Sequence, residues 1–412
     1  MDVYLLDWAN LLLRWLHVVV AIAWIGSSFY FVLLDNSLVP PEDARLKELG
    51  VTGELWAVHG GGFYNPQKYA VGPKTMPTGP AGHLHWFYWE SYWTWMSGFA
   101  LLVSLYLFNA DAFLIDRKVF AWESPYTASA AALVYLGAGW VVYDLICRLF
   151  GRNKDGSIGG DARVGVLIFL YVCIATWIAC HLFSGRAAFV MTGGMIATIM
   201  SANVFFWIIP GQRIVVADLH AGRRPDPIHG QRGKQRSVHN TYFTLPVLIA
   251  MLSNHYGMLW QHEYNWLVLI GLMLLGALVR LFFVLRHKGP ARWEIVFAIA
   301  GLIVALMMFV APRFSQLPPP SAASTTAPDG KPLTQWQQVN NVITQRCLMC
   351  HNAQLASKNV RLDSPQEIAA HAQQIYQQVS VLKLMPMNNA TQITEAERAL
   401  VARWFKAGAS VP

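Results

Sequence analysis

Residues 8–34 read WANLLLRWLHVVVAIAWIGSSFYFVLL. The run is longer than the roughly 7–15 apolar residues of a signal-peptide core and has no small-residue cleavage site after it, so it predicts a retained membrane helix. A spanning helix needs about 20 predominantly apolar residues, and working outward from the first run finds seven more such stretches. The eight are 8–34, 85–108, 126–147, 164–183, 188–208, 240–257, 264–285 and 293–311.

Composition agrees. The 412 residues are 55% hydrophobic and only 13% charged, with 17 Trp, well away from the charge content of about a quarter expected of a soluble globular chain. The net charge of +8 reads as the excess of Lys and Arg on one side of a membrane, and no basic segment has the form of a nucleic-acid module. With the amino terminus outside, the inner connections carry about seventeen Lys and Arg against three outside. The positive-inside rule then places both termini on the outer side of a bacterial inner membrane. No internal repeat is present, which counts against a transporter built from inverted halves.

After Pro312 the character changes. The stretch QLPPPSAASTTAPDGKP (316–332) cannot bury a core and reads as a linker. The predicted organisation is therefore a membrane domain over 1–312, a linker over 313–334 and a small all-α module over 335–412. The fold class is all-α, a polytopic membrane helical bundle of about eight spans with a small all-α module appended, which the motif below makes a cytochrome c domain.

That module contains QRCLMCHN (345–352). In C-x-x-C-H the two thiols, here Cys347 and Cys350, add to the vinyl groups of haem, and the following His351 becomes an axial ligand of the iron. The second axial ligand is expected from Met385, just before Pro386, with Met387 the alternative. A zinc site would want further ligands, and the module offers only His371 besides His351. Trp336, Val339, Val342 and Ile343 recur at helical spacing. Thr394 with Glu397 forms a capping box ahead of Leu400, Val401, Trp404 and Phe405, and Gly408 is placed to stop that helix. Cys147, Cys173 and Cys180 lie in apolar segments and read as small hydrophobes.

The membrane part carries more polar groups than an anchor needs, and ionisable side chains within lipid mark sites or pathways. HLHWFYWESYWTW (83–95) holds Glu90 more than a turn inside its polar edge, beside aromatic residues that also suit an interfacial belt. GKQRSVHNTYFTLPV (233–247) brings Gln235, Arg236, His239, Asn240 and Thr241 into the membrane together: a cationic fork, amides and a proton-exchanging imidazole. Arg280, His181 and Asp144 read as polar groups at span ends.

The blocks LHVVVAIAWIGSSFYFVLLD (16–35), GELWAVHGGGFY (53–64), HWFYWESYWTWMSGF (85–99), IMSANVFFWIIPGQ (199–212), KQRSVHNTYFTLPVLIAMLSNHY (234–256) and the terminal haem motif together resemble the bacterial membrane-bound urate oxidases with a fused cytochrome c. The resemblance implies oxidation of urate to 5-hydroxyisourate in purine breakdown. Electrons would pass to haem c and on to a respiratory acceptor, such as a soluble cytochrome c or a terminal oxidase, without making hydrogen peroxide. Urate is a flat anion, so its site should combine aromatic stacking, a cationic fork and amides. Arg236, Gln235 and Asn240 are the expected grip, Glu90 or His239 the proton acceptor, and Tyr88, Trp89 or Phe63 the stacking ring. If urate binds at the inner face, electrons must cross a bilayer core of about 30 Å. That distance raises the possibility of b-type haem between pairs of His17, His85, His181, His239 and His255. The alternative reading is a noncatalytic membrane cytochrome that relays electrons from another dehydrogenase.

Overall fold

The computed structural model describes residues 2–74, 76–77, 82–117, 119–286, 289–311, 333–353 and 360–412. Most of the predicted linker, residues 313–332, lies outside the described residues. The amino-terminal part is built from α1 (Asp2–Ser37), α2 (Trp89–Leu102), α3 (Pro125–Phe150), α4 (Asp161–Leu182), α5 (Gly185–Asn203), α6 (Pro227–Ser253), α7 (Asn265–Arg286) and α8 (Trp293–Val310). A π-helical turn at Val204–Ile208 joins α5 to a further helix, Ile209–His220. Between α1 and α2 lie four short strands: β1 (Gly53–Glu54) pairs with β4 (Gln67–Lys68), and β2 (Ala57–His59) with β3 (Gly62–Tyr64).

Among the described residues six helices are long and apolar enough to cross a membrane. They correspond to six of the eight expected stretches. The other two are interrupted for identifiable reasons. The α-helical part of α2 is only 14 residues before a π turn at Val103–Leu107, and the first half of α6 carries Gln231, Arg232, Lys234, Gln235 and Arg236. The fifth stretch runs on as a 36-residue helical segment, Gly185–His220.

The order of burial explains the arrangement. α5 packs against α2, α3, α4 and α6, while α6 also lies along α7. Accordingly, α5 supplies Phe189, Met191, Met195, Ile196 and Ile199, all fully buried. No residue of α8 is buried, and Phe297 and Met308 are 73% and 74% exposed. An apolar face of that kind suits lipid, not water. Pro246 interrupts the hydrogen-bond ladder of α6, and α7 crosses just there at Gly276. A β-carbon on Gly276 would meet the Leu245 and Pro246 backbone at 2.9 Å, so only glycine permits this approach.

The carboxyl-terminal module has its own core, with Val339, Ile343, Leu400, Val401 and Trp404 buried between α9 (Gln335–Arg346) and α10 (Glu395–Lys406). The capping box of α10 is present, with Glu397 N donating to Thr394 Oγ1 at 3.2 Å. Arg346 of α9 donates to the same Glu397 carboxylate, tying the two helices together. Gly408 follows the helix end with φ +97°.

Segment 382–389 of this module touches the bundle. Gln261 Nε2 donates to Lys383 O at 2.9 Å, Leu384 packs on the bundle core, and Met387–Asn389 lies against Ala110–Phe113. That contact is made at the end of the bundle where α6 finishes and α7 begins.

Candidate functional site

The opposite end of α6 holds a buried polar network. Gln235, Arg236, His239 and Asn240 follow at helical spacing and turn toward α3 and α5, which present Tyr143, Asp144, Cys147 and Asn203. Trp207 enters from the π turn, one helical step beyond Asn203; such turns recur at functional sites because the extra residue re-aims a side chain.

Asp144 is the hub. Its Oδ1 accepts from Arg236 Nη2 at 2.7 Å and Trp207 Nε1 at 2.8 Å, while its Oδ2 accepts from Arg148 Nε at 2.6 Å. The guanidinium groups of Arg148, Arg232 and Arg236 surround the Trp207 ring at 4.9, 4.8 and 5.4 Å. Three cations thus face one carboxylate, a positive field directed from the half-exposed Arg148 toward the interior.

Arg236 is 2% exposed, yet only Nη2 has a partner; Nε and Nη1 are buried without one. An unpartnered buried donor costs about 1–3 kcal/mol, so two on one fork call for an explanation. The nearby Asn203 Oδ1 is also buried and unpartnered.

Around Asn203 the hydrogen-bond directions are fixed. Asn240 Nδ2 donates to Met200 O at 3.0 Å, so its Oδ1 faces Asn203 Nδ2, which donates to it at 3.0 Å and to Tyr143 Oη at 2.9 Å. Tyr143 Oη lies 2.8 Å from His239 Nδ1; with the phenol donating along that contact, the neutral imidazole carries its hydrogen on Nε2. Gln235 spends its Nε2 on Asp161 Oδ1 at 2.9 Å and Gly159 O at 3.3 Å, anchoring α6 to the start of α4. Both predicted amides are thus committed to holding helices in place.

The remaining predicted residues lie elsewhere. Glu90 occupies the first turn of α2 and is half-buried, with no ion pair at its carboxylate among the described residues. Tyr88 sits 5.4 Å from Trp89 and 5.2 Å from Tyr92, and Arg213 approaches its ring at 6.0 Å. Tyr92 continues through Phe205 and Phe206 to Trp140, so this aromatic group reaches the π turn. Phe63 is 75% exposed on the β2–β3 hairpin. It shares no ring contact with either group among the described residues.

Of the histidines considered for b-type haem, His17, His85, His181 and His239 each have a protein neighbour. His17 Nδ1 lies 3.1 Å from both Thr94 O and Ser97 Oγ, its ring pressed against Gly98, where a β-carbon would come within 2.8 Å. His85 is exposed and stands edge-on to Phe87. His181 is exposed and bonds Trp177 O at 2.7 Å; His255 is exposed just beyond α6.

Two expectations about span ends are overturned. Asp144 and Arg280 are both 4% exposed. Asp144 holds the network together, and Arg280 lies over the Phe29 ring at 4.0 Å. A single sequence does not say which way a helix is rotated, and rotation decided both cases. Tyr143, Trp207 and Arg232 were missed for the same reason; the cue available was their spacing one or two turns from residues already singled out.

In the carboxyl-terminal module Cys347 and Cys350 are free thiols. Burial pushes the Cys347 thiol up to about 12, with the neighbouring Cys350 adding to the effect. His351 Nδ1 lies 3.1 Å from Val360 O. A carbonyl can only accept, so Nδ1 carries the hydrogen and Nε2 keeps its lone pair available to a ligand. Met385 packs on the module core, and Pro386 after it is extended at φ −57°, ψ 147°. Buried Arg398 donates through Nη1 to Met385 O at 2.8 Å and to Val379 O at 2.5 Å. It braces a segment in which Lys383, Asn389 and Gln392 all have positive φ, a strained conformation for residues with a β-carbon. Arg398→Met keeps the bulk and removes the donors. It is expected to destabilise the module by about 2–4 kcal/mol, lowering its Tm by roughly 10–20 °C in a thermal melt.

Residues 3–311 match the family model described as "Urate oxidase N-terminal". No curated protein and no solved structure matches the chain.

Proposed function

The chain belongs to the urate oxidase N-terminal family, and from that premise we propose that it oxidises urate to 5-hydroxyisourate at the Arg236 network, within a bacterial inner membrane. One observation supports the placement: a guanidinium 2% exposed, pinned by Asp144 through Nη2 and lying over the Tyr143 ring at 5.0 Å, whose Nε and Nη1 are buried without a hydrogen-bond partner among the described residues. A flat anion with adjacent carbonyl and N–H groups answers both these donors and the unpartnered Asn203 Oδ1. The three arginines around Trp207 attract it.

The protein's own groups supply the proton chemistry. Oxidation removes two electrons and a proton from urate, leaving an electrophilic ring to which water adds. Tyr143 gives its proton to His239 Nδ1 along the 2.8 Å hydrogen bond and takes the substrate's proton in exchange. Asn203 and Asn240 hold the phenol in line for that transfer, Asp144 orients the fork, and Gln235 fixes the height of α6 against α4. Glu90, with Tyr88 and Trp89, belongs to a neighbouring aromatic wall and has no part in this relay.

The donor set of the carboxyl-terminal module fits haem c, with Cys347 and Cys350 for the thioether links and His351 and Met385 as axial ligands. Bound there, the haem supplies a one-electron acceptor that connects the enzyme to the respiratory chain. Arg346 with Glu397, and Arg398 with Met385, hold the polypeptide around it. A b-type haem between two of the five histidines is a subsidiary proposal.

The test is anaerobic incubation of purified protein with urate, following haem absorbance and 5-hydroxyisourate together. Reduction of the haem with formation of product is expected, and a pyridine haemochrome spectrum should give one c-type haem per chain, any b-type absorbance marking the subsidiary site. Haem that remains ferric with urate but is reduced by dithionite would overturn the reading.

A further inference from the structure

His239 takes part in two environments. On one side it closes the Tyr143–Asn203 relay; on the other it helps line a cleft of about 230 Å³ between α4, α6 and α7. The cleft's other walls are apolar, with Phe169, Phe243, Pro246 and Met273 among them, and Tyr242 beside His239. Its rim residue Phe169 is 46% exposed and Gly165 is exposed, on helices long and apolar enough to lie in lipid. Here a lipid-facing opening reaches the polar network.

We infer that this cleft binds a lipophilic quinone, with its carbonyl at His239, as a two-electron acceptor for the oxidation proposed above. This inference rests on that reading. The chemistry matches at each point. An apolar wall and a mouth in the bilayer suit a ring with a hydrocarbon tail, and a carbonyl needs one donor at the inner end. The hydrogen-bond directions leave the hydrogen of His239 on Nε2, free to be given, while Nδ1 receives one from Tyr143. The balance closes: the urate anion and water yield 5-hydroxyisourate, two electrons and one proton, and the quinone takes the two electrons, that proton and a second one from solvent to become quinol.

Distance gives a second reason. From Arg236 to Ser253 at the far end of α6 is about 25 Å at 1.5 Å per residue, and the carboxyl-terminal module docks at that far end. A second acceptor at His239, in addition to the haem, lies beside the site of oxidation.

The test uses the full, haem-loaded chain in phosphatidylcholine nanodiscs with an azido-benzoquinone photolabel. Labelling should concentrate on the α4, α6 and α7 walls, decylubiquinone should compete it away, and Gly165→Phe should reduce it at least tenfold. A β-carbon at Gly165 meets nothing within 4 Å, so that side chain can enter the cleft without moving the backbone; Ala277→Phe, on the opposite wall, provides a second variant. Gly165→Phe should leave urate oxidation by ferricyanide unchanged while abolishing anaerobic, urate-driven reduction of decylubiquinone. Label spread evenly over α1 and α8, or indifferent to both variants, means the cleft holds only lipid chains and overturns the inference. So does a chain that oxidises urate with ferricyanide but reduces no quinone. A chain that labels in the cleft yet oxidises urate with neither acceptor defeats the urate reading and leaves the cleft assignment standing.

Discussion

Arg236→Ala is expected to lower kcat/KM for urate about a thousandfold while the protein still assembles with its haem. Two hydrogen bonds from a charged donor to an anion contribute roughly 1.5–3 kcal/mol each, and 1.36 kcal/mol corresponds to tenfold in rate. Removing a partner from a buried ion pair usually destabilises a fold by several kcal/mol because the other charge is stranded. Asp144 is not stranded here, since Arg148 and Trp207 still donate to it at 2.6 and 2.8 Å. The loss should therefore appear in urate turnover and not in haem content or helical circular dichroism. Arg236→Lys separates charge from shape: lysine restores attraction but not a planar fork, so it should recover only part of the rate. Turnover by Arg236→Ala at the wild-type rate would remove the site from this end of the bundle.

His351→Ala is expected to divide the molecule's two tasks. With the axial imidazole gone, urate-driven reduction of an added cytochrome c should fall at least a hundredfold, whereas oxidation of urate with ferricyanide in detergent should stay within about twofold of wild type. The expectation follows from position: the carboxyl-terminal core is separate from the bundle core, and segment 382–389 meets the bundle at the end away from Arg236. Equal loss in both assays would mean that the module takes part in binding or oxidising urate. Loss in neither would mean that His351 does not hold the electron carrier.

The contrast between Arg236 and Glu90 shows where single-sequence reading stops. Both were singled out as charges within apolar surroundings. In the fold, α6 turns Arg236 toward α3 and α5, where Asp144 waits; α2 leaves Glu90 in its first turn without an ion pair. Gln235 and Asn240 are expected to grip the substrate beside Arg236, but their donors go to Asp161, Gly159 and Met200. Asp144 was set aside as a span-end group because its partners come from positions 92 and 63 residues away in the chain.

Local chemistry was legible because it is written in neighbouring residues. Apolar runs of spanning length, the C-x-x-C-H spacing, the Thr394–Glu397 capping box and the stop at Gly408 each depend on side chains within a few positions of one another, so the sequence alone determined them. Which faces of the helices meet is a different kind of fact. It depends on the rotation of each helix and on close crossings such as Gly276 against Pro246, which place residues far apart in the chain within hydrogen-bonding reach. Only the tertiary structure decided that Asp144 orients Arg236, that Tyr143 stands between Asn203 and His239, and that His239 also borders a cleft open toward lipid.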